Sequence, residues 1–240
     1  MTDPKTLAES GVLLVDKPKD WTSHDVVNCV RKRFNIKKVG HCGTLDPQAT
    51  GLLILVTGRA TKISEQLMQH DKKYEGTIHL GITTTTQDAE GEVKEERSID
   101  HLTRDMVENA VADFRGDIEQ IPPMASAVKK NGQKLYKLAR KGVEVEREPK
   151  KVTVHDFTIT NSSPPFADFE LQCTKGTYVR TLCYDIGERL GCGGYLYRLR
   201  RTQSGMFSVA DAYTTDTIKQ WERKDLLEHL IPLDKVLSSL

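Results

Sequence analysis

Apolar positions along this chain fall into short continuous runs and helical stripes, separated by Gly, Pro and charged clusters. Gly11-Val12-Leu13-Leu14-Val15-Asp16, closed by Lys17-Pro18, has the pattern of a short buried strand. Over 22–34 the residues Val26, Val27, Val30 and Phe34 recur at helical spacing, and Thr22 with Asp25 has the spacing of a capping box. A second buried strand is predicted over 51–57, then a helix over 61–69 with Ile63 and Leu67 inward. Strands over 73–80 and 91–93 read as a hairpin about the turn Asp88-Ala89-Glu90-Gly91. Met106, Val107, Ala110, Val111 and Phe114 predict a helix over 103–114, and the run ending in Pro122-Pro123 closes a strand. A short basic helix over 135–141 stops at Gly142. Alternation over 152–160 and 166–173 predicts paired strands about Asn161-Ser162-Ser163-Pro164-Pro165. A helix over 178–190, a strand over 196–202 and two short helices over 216–221 and 224–230 complete the chain.

Strands and helices are thus intermingled without regular alternation, and no repeat is visible, which points to an α+β fold with a mixed or antiparallel sheet. No linker divides the chain, so one catalytic domain is expected. At 240 residues, 38% hydrophobic and 29% charged, it has the balance of a soluble globular protein with a substantial core. No apolar run is long enough for a membrane span, and Met1-Thr2-Asp3-Pro4-Lys5 lacks the order of a signal peptide. The five cysteines form no CxxC pair, so reduced thiols in the cytoplasm are expected, and His and Cys nowhere cluster at zinc-ligand spacing. Net charge is only +1, yet nine Lys or Arg against three Glu lie within 128–151, and eight acidic against three basic residues within 88–108. Such segregation allows one basic surface for phosphates.

The densest chemistry lies in Gly40-His41-Cys42-Gly43-Thr44-Leu45-Asp46-Pro47-Gln48-Ala49-Thr50-Gly51-Leu52-Leu53. Gly43 and Gly51 permit turns or close backbone approach, and Pro47 restricts its own backbone and biases Asp46 toward an extended conformation. A carboxylate held on a rigid loop beside a core strand suits a nucleophile or general base. From spacing alone the more ordinary reading is an Asx-type turn in which Asp46 satisfies its neighbours' amides.

This stretch closely resembles the GHxGxLDPxATGxL signature of the TruB family of tRNA pseudouridine synthases, with Cys42 where Thr is common. The resemblance runs from about Gly11 to Gly205. It implies a pseudouridine synthase core with a long, bent, mixed sheet flanked by helices, and Asp46 as the catalytic residue. The motif at 11–18 implies that Lys17 and Pro18 pack beneath the active-site loop. Lys72-Lys73-Tyr74-Glu75-Gly76 is similar to the segment whose Tyr stacks on the flipped base, here Tyr74. Lys175-Gly176-Thr177-Tyr178-Val179-Arg180-Thr181-Leu182 matches a KGTYxRTL element, implying that Arg180 ion-pairs with Asp46. Leu196-Tyr197-Arg198-Leu199-Arg200-Arg201-Thr202-Gln203-Ser204-Gly205 resembles the motif whose Leu, here Leu199, lines the base pocket, with Arg200 suited to phosphates. The resemblance sets His41 against the tRNA loop, and Lys129 and Lys130 on RNA backbone.

The implied reaction isomerises uridine-55 of the tRNA T loop: the C1′–N1 bond breaks, the base turns, and C5 joins C1′. It is redox-neutral and expected to need no cofactor or metal, in keeping with the absence of phosphate-loop and dinucleotide motifs. The target base must be flipped out of its stack. The expected organisation is a catalytic domain over 1–210 and a short helical tail over 211–240 lacking a PUA-type module, hence weaker and more salt-sensitive RNA binding than in longer relatives. A cytoplasmic monomer acting on the tRNA T-arm, with no membrane partner, is expected. The alternative is an inactive tRNA-binding or RNA-folding protein of the same fold.

Overall fold

The computed structural model describes residues 9–124, 126, 128–130, 132–139 and 142–238. In chain order its elements begin with β1 (Gly11–Lys17), α1 (Ser23–Phe34), β2 (Val39–Cys42), β3 (Thr50–Thr57) and a 3-10 turn (Gly58–Ile63) running into α2 (Ser64–Met68). Then come β4 (Lys72–Leu80), β5 (Ile82–Thr84), β6 (Val93–Glu96), α3 (Arg104–Ala112), β7 (Gly116–Gln120), β8 (Lys129–Lys130), β9 (Gln133–Lys134) and α4 (Leu135–Ala139). The long strands β10 (Lys150–Ser163) and β11 (Phe166–Cys173) lead to α5 (Val179–Arg189), β12 (Gly194–Ser204) and β13 (Phe207–Ser208). The chain closes with β14 (Tyr213–Thr214), α6 (Thr215–Gln220), α7 (Arg223–His229), β15 (Ile231–Pro232) and α8 (Leu233–Leu237). Two compact units divide it, Met1–Lys73 with Arg200–Leu240, and Tyr74–Leu199.

In the first unit β3 is the hub, because nearly every one of its side chains is buried and both faces need cover. β1 pairs with it antiparallel from Gly11 opposite Thr57 to Lys17 opposite Gly51, and β2 pairs antiparallel further along. β12 joins in parallel through Arg200 and Arg201, opposite Thr50 and Gly51. β14 and β15 add to β1, one parallel and one antiparallel. Val12, Leu14, Leu52, Ile54 and Val56 form one buried face with Leu67 and Phe207. The helix predicted over 22–34 is present, with Thr22 and Asp25 closing the capping box and Val26, Val27, Val30 and Phe34 buried. A cap of this kind contributes about 1 kcal/mol.

In the second unit β4, β11, β10 and β7 lie side by side in that order, with β10 antiparallel to both β11 and β7. Ile78, Phe157, Phe169, Leu171, Leu182 and Ile186 form its core, and Tyr74 and Leu199 pack against that core half-buried. Together these arrangements make an α+β fold with a mixed sheet.

Three local expectations need correction. The hairpin about Asp88 joins β5 to β6, not the strand over 73–80 to 91–93. The helix over 61–69 begins as 3-10 turn and is α-helical only at Ser64–Met68. β2 and α8 carry no strong periodicity and were not expected, since four and five residues are too few to show one. Among the described residues no helix is long and apolar enough to cross a membrane. None of the five cysteines is in a disulfide among the described residues, and all but Cys29 are buried.

Candidate active site

The loop between β2 and β3 carries Asp46, and its neighbours hold it by the backbone. Ser23, at the start of α1, accepts the Leu45 N–H at 2.9 Å and donates its hydroxyl to the Leu45 carbonyl at 3.1 Å. On the other side the Pro47 carbonyl accepts from Asp20 N–H at 2.9 Å and from Lys17 Nζ at 3.1 Å. The loop closes its own turn through Ala49 N–H to the Asp46 carbonyl at 3.1 Å. Each residue flanking Asp46 is therefore anchored.

Lys17 is fully buried. Its ammonium has three donors and meets three carbonyls, those of Pro18 at 2.9 Å, Trp21 at 2.6 Å and Pro47 at 3.1 Å. Burial pushes its pKa down to about 8, with the Asp46 carboxylate partly offsetting the desolvation. The folded value lies below the free value of 10.5, so the folded protein sheds this proton first as pH rises. The cost of burying the charge is present below pH about 8 and is relieved between about 8 and 10.5. Accordingly, the wild type gains stability relative to Lys17→Met across that window, as denaturant titrations at its two ends would register. A difference that stays flat or falls would contradict this.

Arg201 also holds the loop, and sequence reasoning did not single it out. It is buried, donating from Nε to the Leu52 carbonyl at 2.7 Å and from Nη2 to the Gly43 carbonyl at 3.1 Å. It thus ties both ends of the loop to β12. The two terminal nitrogens of the neighbouring Arg200 engage both carboxylate oxygens of Asp16, at 3.0 and 2.7 Å. Period-two alternation along β12 was the available signal, since neighbouring strand residues face opposite ways. Gly51 sits at φ +96°, and a Cβ there would run into the Arg201 backbone. Gly51→Ala is expected to destabilise the protein by more than about 1 kcal/mol from backbone conformation alone, seen as a lower melting temperature.

His41 lies on β2, half-buried, its Nδ1 buried without a hydrogen bond among the described residues. Burial, helped by Arg201 and His24, lowers its pKa. Burial likewise pushes the adjacent Cys42 thiol up to about 11, which leaves it unreactive.

In the second unit Arg180, near the start of α5, donates from Nη1 to Asp88 Oδ2 at 3.1 Å, and both side chains are more than 90% buried. Asp88 Oδ1 in turn accepts the Thr86 hydroxyl and the Glu90 N–H. The tight turn that sequence reasoning found therefore also presents a fixed carboxylate to an arginine. Gln120 brackets Tyr178 of the same motif, accepting its N–H at 3.0 Å and donating to its carbonyl at 3.3 Å. Tyr74 and Leu199 share one core cluster. Asp46, Lys17, Pro18, His41 and Arg200 belong to the first unit and Tyr74, Arg180 and Leu199 to the second, so the expected Arg180–Asp46 pairing stays an expectation. Lys129 and Lys130 form β8, but their side chains lie outside the described residues.

A basic surface that sequence reasoning did not single out covers the far end of α1. Arg31, Lys32, Arg33, Lys37, Lys38, Arg59 and Lys62 are all exposed, and the Gly58 N–H bond to the Lys38 carbonyl at 2.9 Å joins the two segments. Among the described residues Lys32, Lys37, Lys38, Arg59 and Lys62 make no ion pair.

Comparison with known proteins bears on what this loop is for. The family model for the N-terminal domain of TruB family pseudouridylate synthase matches residues 31–179, and that for the tRNA pseudouridylate synthase B C-terminal domain matches 180–238. The chain belongs to the TruB family. It is 51% identical over 230 residues to tRNA pseudouridine synthase B of Opitutus terrae, covering 96% of this chain and 95% of that one. With the same enzyme of Pseudomonas aeruginosa it shares 51% identity over 211 residues, 88% of this chain and 69% of the relative. Among solved structures it resembles a Cbf5-Nop10-Gar1 complex, with TM-score 0.75 and 27% identity over all of this chain and 65% of that one. TruB membership makes the chain an isomerase of the pseudouridine synthase type, and the fold expected from the signature is the one observed.

Proposed function

We propose that this chain isomerises uridine-55 in the T loop of tRNA to pseudouridine, with Asp46 as the reacting carboxylate. The observation that carries the reading is the anchoring of Leu45 and Pro47, which fixes the backbone on both sides of Asp46 in a chain whose relatives are named tRNA pseudouridine synthase B. A single aimed carboxylate suffices to start the reaction by adding to base or sugar, or by removing a ribose proton. Tyr74 and Leu199 take the extruded base, the aromatic ring recovering part of the unstacking energy. Arg180, held by Asp88, supplies positive charge, Lys17 and Pro18 support the loop, and His41 with Lys129, Lys130 and Arg200 meets the RNA. The reading includes a catalytic domain over 1–210 and a helical tail over 211–240. It also includes a cytoplasmic monomer that needs no metal or cofactor, since the isomerisation is redox-neutral.

The unpaired cations of the α1 end suit phosphates of the T-arm. Replacing Lys37 and Lys38 together with Gln is expected to flatten the dependence of log Kd on log salt by about 2, about one for each phosphate that is no longer neutralised. An unchanged slope in filter-binding titrations would place the RNA elsewhere.

The deciding experiment is tritium release from a T-arm RNA labelled at uridine C5. Stoichiometric release supports the reading. Tight binding without release over hours favours an inactive RNA-binding protein instead.

A further inference from the structure

Ser23 opens α1, yet it does not cap the helix. Thr22 already does so: its Oγ accepts the Asp25 N–H at 3.1 Å, and the Asp25 carboxylate accepts the Thr22 N–H at 2.9 Å. A serine in a first helical turn commonly bonds its own backbone or water. The Ser23 hydroxyl is instead buried against a residue 22 positions onward, where it satisfies both the N–H and the C=O of Leu45. Leu45 is itself buried, so neither group has water as an alternative partner.

We infer that Ser23 is a positioning residue for Asp46, holding both polar groups of the preceding residue. The inference rests on the reading of Asp46 as the reacting carboxylate. Its geometry is specific. Leu45 precedes Asp46 directly, and pinning its N–H and C=O limits rotation of the peptide from which the Asp46 backbone departs. Pro47 restricts the backbone on the following side, where Lys17 and the Asp20 N–H grip its carbonyl. The carboxylate thus hangs from a short bridge clamped at both piers. Removing one pier leaves Asp46 in place chemically but free to shift, and a shift near 1 Å can cost about 10²-fold in rate.

The test is Ser23→Ala, assayed for single-turnover tritium release at saturating T-arm RNA, for RNA affinity and for hydrogen exchange at the Leu45 amide. The rate is expected to fall about 30- to 100-fold, with Kd changed less than about twofold and the Leu45 amide exchanging faster. Val27→Ala, which truncates a buried side chain of the same helix, is the control for lost stability. An equal rate loss in Val27→Ala at a matched melting temperature would overturn the inference, and so would a loss confined to Kd. Should Ser23→Ala be too unstable to assay, Ser23→Cys offers a weaker donor and acceptor and is expected to lose about tenfold in rate at unchanged Kd. A wild-type rate there would also overturn it. Asp46→Asn is measured alongside. If it is inactive while the Ser23 variants turn over normally, the positioning role alone fails; if it is active, the reading of Asp46 fails.

Discussion

Asp46→Asn is expected to lower product formation by about four orders of magnitude while leaving RNA affinity within about threefold. Asparagine has nearly the same shape but cannot act as a carboxylate nucleophile or base. The loop backbone has anchors that do not involve that side chain. Its backbone is held at Leu45 by Ser23, at Pro47 by Lys17 and Asp20, and at Gly43 and Leu52 by Arg201. Circular dichroism is therefore expected to change little, while the melting temperature falls, because the buried Lys17 ammonium loses the carboxylate that offsets part of its desolvation. Tritium release over hours, with filter binding in parallel, separates loss of chemistry from loss of binding. Substantial release by the variant would remove Asp46 from the mechanism.

Asp88→Asn is expected to be the most destabilising of the single polar changes considered, by about 3 kcal/mol, because it removes a buried carboxylate that offsets the charge of a buried arginine. The Arg180–Asp88 pair is almost wholly excluded from water, so the desolvation of Arg180 is no longer offset by that carboxylate. For a chain of this length the loss corresponds to a fall of roughly 10 °C in melting temperature. The contrast is Asp113→Asn, which breaks the pair with Arg189 on an exposed surface, more than half of each side chain being solvent-accessible. That change is expected to stay within about 0.5 kcal/mol. Comparable melting temperatures for the two variants would mean that burial does not govern the Asp88 pair. Because Arg180 stands in the KGTYVR segment, slower turnover by Asp88→Asn under conditions where it remains folded would tie the pair to the reaction as well.

Much of the framework was legible in residue order. β1, α1 and β3 follow from continuous apolar runs and from a capping box with helical spacing, which are local signals that local energetics enforce. The paired strands β10 and β11 were visible for the same reason, though β10 runs longer than its alternation suggested. Asp46 stood out because Gly43, Pro47 and Gly51 restrict or free the backbone around it in ways that can be read from residue type alone. The reading failed where the partner is distant in sequence. Asp88 looked like an ordinary turn residue, and only packing brings Arg180 to it across 92 positions. Arg200 and Arg201 are neighbours of identical chemistry, and their opposite roles follow from which face of β12 each occupies.

Sequence by itself determined the family, the α+β class, the position of the candidate carboxylate and the elements that carry their own periodicity or caps. Tertiary structure alone decided what holds that carboxylate: a serine 22 residues before Leu45, a lysine 30 before Pro47 and an arginine 158 after Gly43. The physical reason is that local conformational preferences act within a few residues. A buried hydroxyl, ammonium or guanidinium is instead satisfied by whichever carbonyls and amides the folded chain brings within about 3 Å.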